Sequence, residues 1–442
     1  MKRTKIAEGK PVRLVALAAL SIAACAAQAA LPIQHWTTAS GARVYFVESR
    51  GIPMLDVNVD FDAGGRRAPA DKAGLGGLTH TLIKAGSAAR SEEEISRRIA
   101  DVGAQLGGSV DRDRAGLSVR TLSSERERTQ AIATFAEILQ TPAFPDAAFA
   151  REKARLVDAV REDETKPDAI VSKAFYRLLY AAHPYALAPT PETVLRIERA
   201  DVESFYRANY VAGRAVVTII GDADRALAER IAEQLTAGLP RARGAPVPLP
   251  AVTQPPSQTL RIAHPASQSH ILLGLPAIAR NDADYFPLLV GNYILGGGGF
   301  VSRLYLEVRE KRGYAYSVYS YFLPLAQEGP FEIGLQTKKE QAEEALARVR
   351  IVLDEFLDRG PSAAEMKAAK QNLVGGFALR IDSNRKLLDQ VALIGYYQLP
   401  LSWLDDFTAR VEKVSVAEVR AVFARRVRPG NLVTVVAGSG EK

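Results

Sequence analysis

RADVESFYRANYVAGRAVVTIIGD, Arg199–Asp222, has a counterpart near the end of the chain, VAEVRAVFARRVRPGNLVTVVAGS, Val416–Ser439. At an offset of 217 residues Val202 meets Val419, Tyr206 meets Phe423, Gly213 meets Gly430 and Gly221 meets Gly438. Each copy reads as an amphipathic helix, a glycine turn and an apolar strand. Upstream, FPDAAFAREKARLVDAV (Phe144–Val160) and GPSAAEMKAAKQNLVGGF (Gly360–Phe377) stand at nearly the same offset. Each opens a long helix after a Pro-Asp or Pro-Ser start, as a helix cap would. One large offset, repeated, means a duplicated domain and not a short-period solenoid.

Between the copies, Pro240, Pro246, Pro248, Pro250, Pro255 and Pro256 crowd into Leu239–Ser257. Such a segment is extended and semi-rigid, rising ~3.1 Å per residue where it is polyproline-like. It sets the expected boundaries: a first domain over 30–239, a linker over 240–256 and a second domain over 257–442. Each domain is expected to hold its own core, with few contacts made by the linker. Met54–Phe61 alternates strictly, with Leu55, Val57, Val59 and Phe61 on one face and Asp56, Asn58 and Asp60 on the other, the pattern of a half-buried strand. Ser91-Glu92-Glu93-Glu94 is a capping box that opens a helix with Ile95, Ile99 and Val102 inward. Strands and helices recur in blocks, which predicts an α+β fold of two homologous domains, each a mainly antiparallel sheet packed with helices.

The N-terminus is set apart from this fold. MKRTKIAEGKPVR is basic, VRLVALAALSIAACA is apolar, and Ala27-Gln28-Ala29 offers a small-residue cleavage site. Residues 1–29 thus read as a secretory signal peptide, too short in its apolar run for a membrane anchor. The alternative, a lipoprotein signal, would leave Cys25 lipid-anchored. The expected location is the periplasm. Five of the cations and one acid lie in this segment, so the net charge of +7 falls to about +3 after cleavage. Charges of both signs are interspersed without a long basic run, and no nucleic-acid partner is implied. Cys25 is the single cysteine, so the mature chain has neither a disulfide nor a thiolate ligand or nucleophile.

Three more stretches complete the pattern: GLGGLTHTLIKAGS (Gly74–Ser87), AAHPYA (Ala181–Ala186) and LGGGGFVSRLYLEVREKRGYAYSVYS (Leu295–Ser320). In this order they resemble the pitrilysin/insulinase family of zinc peptidases and its processing-peptidase relatives, over essentially the whole mature chain. The family's active members carry His-x-x-Glu-His on the first of these stretches. Two histidines on one helix face hold Zn²⁺, and the glutamate serves as base to the metal-bound water. The corresponding positions here are Gly77, His80 and Thr81, so no metal site is expected in this chain. A third ligand would fall near Asp158–Ala159, with Glu162 a turn further on. One carboxylate does not replace two imidazoles. His80 alone on an apolar helix reads as a half-buried polar residue with a hydrogen-bond partner. His35, His183, His264 and His270 show no helical pair spacing.

In VSRLYLEVREK, Val301, Leu304, Tyr305 and Val308 follow helical spacing and are expected inward. Arg312-Gly313 ends that helix, and Tyr314, Tyr316 and Val318 then alternate as a strand. Arg309 and Tyr316 can converge across the turn. The resemblance implies that an arginine and a tyrosine at this spacing bind the substrate backbone and support the oxyanion. The plainer reading leaves Arg309, Lys311 and Arg312 to complement a helix C-terminus, and Tyr316 to pack on the sheet. Gly296, Gly297, Gly298 and Gly299 lack the Lys-Ser/Thr of a phosphate loop. They make either a tight helix connection or a bare loop that a peptide approaches closely.

A member without the zinc motif that keeps the arginine and tyrosine resembles half of an active site. The expectation is a non-metal-binding subunit of an exported heterodimeric zinc peptidase. A homologous partner would bring Zn²⁺ and the base, and the substrate would be an unfolded peptide. The alternative is a catalytically inert peptide-binding or scaffold subunit. An independent enzyme is poorly supported, since no cysteine and no Gly-x-Ser-x-Gly elbow is available.

Overall fold

The computed structural model describes residues 32–242, 244–245 and 247–438. The expected signal segment, with Cys25, lies outside them. The first sheet is built from β1 (Gln34–Thr37), β2 (Arg43–Glu48), β3 (Met54–Phe61), β4 (Gln105–Val110), β5 (Ala115–Leu122) and β6 (Val216–Gly221), in the order β1-β2-β6-β3-β5-β4. The second takes β7 (Gln258–Ile262), β8 (Gln268–Ile278), β9 (Ser317–Phe322), β10 (Gly329–Lys338) and β11 (Val433–Ala437), in the order β7-β11-β8-β10-β9. All pairings are antiparallel except β2 with β6 and β7 with β11. Apart from β1, the two sheets have one topology.

The repeat read from the sequence is this topology. β6 and β11 both begin at the shared offset, and Val202, Tyr206, Val419 and Phe423 of the preceding helices are buried. Gly221 and Gly438 close these strands at φ +136° and +100°. A side chain at either would run into backbone, 2.1 Å from the Met54 oxygen in one case and 2.6 Å from the Gln268 oxygen in the other. Only glycine suits both demands.

The two halves share part of their packing: one buried cluster belongs to the first half alone, and the other draws on both. The helix Pro167–Tyr180 belongs to the first half in sequence but packs on β8 and β11 of the second sheet. The helix Asn384–Tyr397 returns the exchange, lying on β3 and β6 of the first. One buried cluster therefore holds Val171, Phe175 and Leu179 together with Leu273, Ile333 and Val435, and reaches Tyr45 and Val216. The exchange also corrects the reading of β3. Its polar face is not solvated: Asp56 and Asp60 are 1% and 2% exposed. They survive burial through Arg120, which grips Asp56 by two bonds of 2.7 and 3.1 Å, and Arg114, 3.1 Å from Asp60.

A second tie between the halves is Asp113, in the turn from β4 to β5 and fully buried. Its carboxylate pairs with Arg66. It also accepts from the Tyr185 hydroxyl (2.7 Å), the Tyr397 hydroxyl (2.9 Å) and the Ala326 amide (2.7 Å). Its backbone carbonyl accepts from Tyr396 at 2.8 Å. Two donors come from the first half and three from the second. The proline-rich segment is likewise attached rather than loose. Arg67 donates to the Val247 carbonyl (2.6 Å), His183 to that of Pro250 (3.1 Å), and Asn431 to that of Pro255 (2.7 Å). Lacking N–H groups, the prolines offer carbonyls to both halves, and the segment works as a strap.

Candidate functional site

His80 sits on the helix Leu75–Leu82, which Gly74 starts in a left-handed conformation at φ +106°. The imidazole is buried between this helix and the edge strand β4. Its Nε2 lies 3.0 Å from the Gly116 carbonyl of β5. Facing an oxygen acceptor, Nε2 carries the proton. Burial lowers the imidazole pKa, outweighing the Gly116 bond that raises it, so the ring is neutral. Gly108 makes room for it: a Cβ there would stand 2.8 Å from Nε2.

The other positions of the degenerate motif do not supplement His80. Open space surrounds Gly77, Thr81 is exposed, and Asp158 lies in solvent with its side chain 77% exposed beside Arg161. Among the described residues, no three side chains of metal-ligating type come together. A tetrahedral zinc site needs three or four nitrogen, sulfur or carboxylate donors on one point. Gly77 and Thr81 provide none of comparable basicity, and the proton on Nε2 is already given to Gly116. The donor set does not fit Zn²⁺.

In the second half the arrangement is different. Residues between β8 and β9 repeat the order found between β3 and β4, so Tyr285–Gly297 stands where the His80 helix stands. Arg309 lies in the helical turn Tyr305–Glu310, which is wide: the Lys311 amide reaches back to the Leu306 carbonyl at 3.0 Å. Such five-residue turns recur at functional sites. The Arg309 guanidinium carbon is 5.2 Å from the Tyr316 ring centre and 4.8 Å from that of Tyr305. Phe300 extends the row, its ring 5.0 Å from Tyr305 edge to face.

The neighbouring cations are engaged elsewhere. Lys311 and Arg312 both bind Glu307, at 2.6 and 2.9 Å, and Arg348 joins them. Those partners hold the Glu307 carboxyl at about pH 2, the Lys311 bond foremost. Arg309 makes no side-chain hydrogen bond or ion pair among the described residues. Its charge rests only on aromatic faces, which hold a guanidinium without consuming its N–H donors. Tyr316 precedes β9, 76% exposed, its amide bonded to the Gln336 carbonyl at 3.2 Å. Its phenol therefore faces solvent beside the guanidinium, while Val318 turns inward.

Two expectations are corrected here. Val301 is not on the apolar face; it lies 65% exposed in the short turn Gly299–Val301. The glycine run is also only partly accessible. Gly296 is buried, where a Cβ would meet the Ser320 backbone nitrogen at 2.6 Å, and Gly298 crowds the Tyr293 carbonyl. Gly297 and Gly299 are exposed, the latter at φ +62°. The run is first a tight connection that seats Gly296 against β9 and displays Phe300. Residue pattern alone does not mark Tyr305 and Phe300 as part of the site, although Tyr305 stands one helical turn before Arg309 and Phe300 follows the glycines.

Residues 43–189 match the family described as Insulinase (Peptidase family M16), and residues 196–373 match the Peptidase M16 inactive domain. The crystal structure of a peptidase M16 inactive domain from Pseudomonas fluorescens superposes with a TM-score of 0.90 at 36% identity, covering 93% of this chain and 98% of that one. This chain is a member of the M16 peptidase family. Among M16 relatives, a non-peptidase homologue of Helicobacter pylori is 24% identical over 407 residues, covering 90% of this chain and 92% of its own. The beta subunit of the mitochondrial-processing peptidase of Blastocladiella emersonii is 22% identical over 417 residues, covering 91% and 88%. The two-sheet fold is that of an M16 protein, and among the described residues it holds no metal-binding group.

Proposed function

We propose that this chain is the non-metal-binding subunit of an exported heterodimeric zinc peptidase. It presents Arg309 and Tyr316 to an unfolded peptide, while a homologous partner supplies Zn²⁺ and the base. One observation carries the reading: in a helix end where every other nearby cation is paired, Arg309 lies between two tyrosine rings with its donors unspent, beside an exposed phenol. Guanidinium and phenol both donate, and a carbonyl oxygen gaining negative charge binds fixed donors more tightly than its ground state does. The relatives described as inactive or non-peptidase support the loss of metal chemistry. The processing-peptidase subunit supports pairing.

The exposed edge strand β4 supports peptide binding on the first half. Among the described residues it is unpaired on its outer side, and an extended peptide can add there as a further strand. The test is co-expression with an exported M16 chain that has an intact His-x-x-Glu-His. Each chain and the mixture are assayed on unfolded peptides. Activity in the mixture alone supports the proposal. Full activity of the partner by itself, unaltered on adding this chain, would leave the scaffold role.

A further inference from the structure

A cavity of about 430 Å³ lies between the two halves, away from the Arg309 row. Arg43, Arg66, Arg214 and Arg280 all line it, with Asn281 and Gln398 adding amides. The nearby acids do not balance these cations. Asp62 and Asp113 are occupied by Arg66 and Arg67. Arg43, Arg214 and Arg280 have no carboxylate within ion-pair distance among the described residues. Arg43 gives one N–H to the Gly395 carbonyl at 3.1 Å. Among the described residues the Arg280 guanidinium has only the Tyr397 ring, 5.5 Å away.

The polar atoms inside point the same way. The Nε groups of Arg66, Arg214 and Arg280 are closed off by protein and have no acceptor among the described residues, and the terminal nitrogens of Arg214 and Arg280 donate no side-chain hydrogen bond there either. Buried donors are ordinarily satisfied, and guanidinium N–H groups without acceptors on both sides of one cavity favour an acceptor bound in it. Like charges gathered in a partly desolvated space repel unless an anion joins them. Gln398, at the cavity wall, is held left-handed at φ +53°, a costly conformation for a residue other than glycine.

We propose that this cavity binds a compact oxyanion of two or more charges, a phosphate or pyrophosphate group or a polycarboxylate, bridging Arg43 and Arg214 of the first half to Arg280 of the second. Forked guanidinium donors match the oxygens of such groups in pairs. The site uses none of the residues assigned to peptide binding, so it stands or falls separately from the peptidase role.

The test is calorimetric titration of the full mature chain with pyrophosphate, with citrate as a second arm and NaCl holding ionic strength constant. The expected result is saturable one-to-one binding by at least one of them, with a raised Tm. Arg214→Gln and Arg280→Gln should each weaken it ~10–100-fold, as loss of a charged hydrogen bond does, while Arg97→Gln on the surface should not. Pyrophosphate binding assigns phosphate chemistry and citrate binding alone assigns carboxylate chemistry; either supports the site. Without anion, both glutamine variants should keep or raise Tm, because repulsion is relieved. Arg280→Lys, which keeps the charge, should fold and bind more weakly than the native chain. No saturable binding in either arm, unchanged affinity in Arg280→Lys and both glutamine variants, or a Tm lowered without anion would overturn the proposal.

Discussion

Asp113→Ala tests how the halves are held together. The carboxylate is fully buried and is the acceptor for Arg66, Tyr185, Tyr397 and the Ala326 amide. Alanine would leave Arg66 with Asp62 as its one carboxylate, 2.9 Å from its Nη2, and would strand three neutral donors. Removing one member of a buried ion pair costs ~3–5 kcal/mol, a large part of a typical ~5–15 kcal/mol of stability. Asp113→Asn retains one acceptor oxygen of similar size and should cost about half as much. Urea denaturation followed by circular dichroism gives both numbers. The loss should also have a location. With the tie cut, the exposed stretch around Arg241 should be nicked by trypsin faster than in the native chain, where the strap is bonded to both halves. A loss under about 1 kcal/mol for Asp113→Ala, with unchanged cleavage, would refute the argument that this carboxylate joins them.

Two further outcomes are expected. Burial, working against Arg114, raises the Asp60 carboxyl to about pH 6, above its usual value near 4. The folded chain then holds an extra proton between those values, so this group's stabilisation is complete below pH ~4 and lost as pH rises through 6. Asp60→Asn should remove that slope, at most about 3 kcal/mol, from stability measured between pH 4 and 7. Metal analysis after dialysis should find no stoichiometric zinc in the native chain. Gly77→His with Thr81→His should gain measurable zinc affinity, because Gly77 has open space and the pair shares a helix face; stoichiometric native zinc lost on His80→Ala would contradict the reading of that helix.

Much of the fold was legible because it repeats. Val202 and Val419, or Gly221 and Gly438, announce one helix-turn-strand unit twice, and local periodicity suffices to find it. The Ser91 capping box and the inward Ile95 and Ile99 are equally local. What covers β3 is not local. Asp56 and Asp60 alternate as solvent-facing residues do, and the helix that buries them lies more than 300 residues away in sequence. Asp113 was missed for the same reason, since Asp-Arg-Asp-Arg reads as a charged turn until Tyr185 and Tyr397 arrive from distant segments. At the site, spacing was enough to bring Arg309 and Tyr316 together. It could not show that Glu307 takes up Lys311, Arg312 and Arg348 and leaves Arg309 free. Tyr305 fitted the apolar period so well that its second face, against the guanidinium, was hidden.

The central claim is that Arg309 and Tyr316 serve a peptidase whose metal is on another chain. The direct measurement is kcat and KM of the reconstituted pair carrying Arg309→Ala or Tyr316→Phe, with assembly followed by size-exclusion chromatography. Removing one oxyanion donor lowers kcat ~10²–10³-fold, or roughly 3–4 kcal/mol. Assembly should persist, because neither side chain is buried in the fold and a helix-end charge contributes only ~0.3–1 kcal/mol. A complex that forms normally and turns over ~100-fold or more slowly is the predicted result. Full activity in an intact complex carrying both substitutions would contradict it.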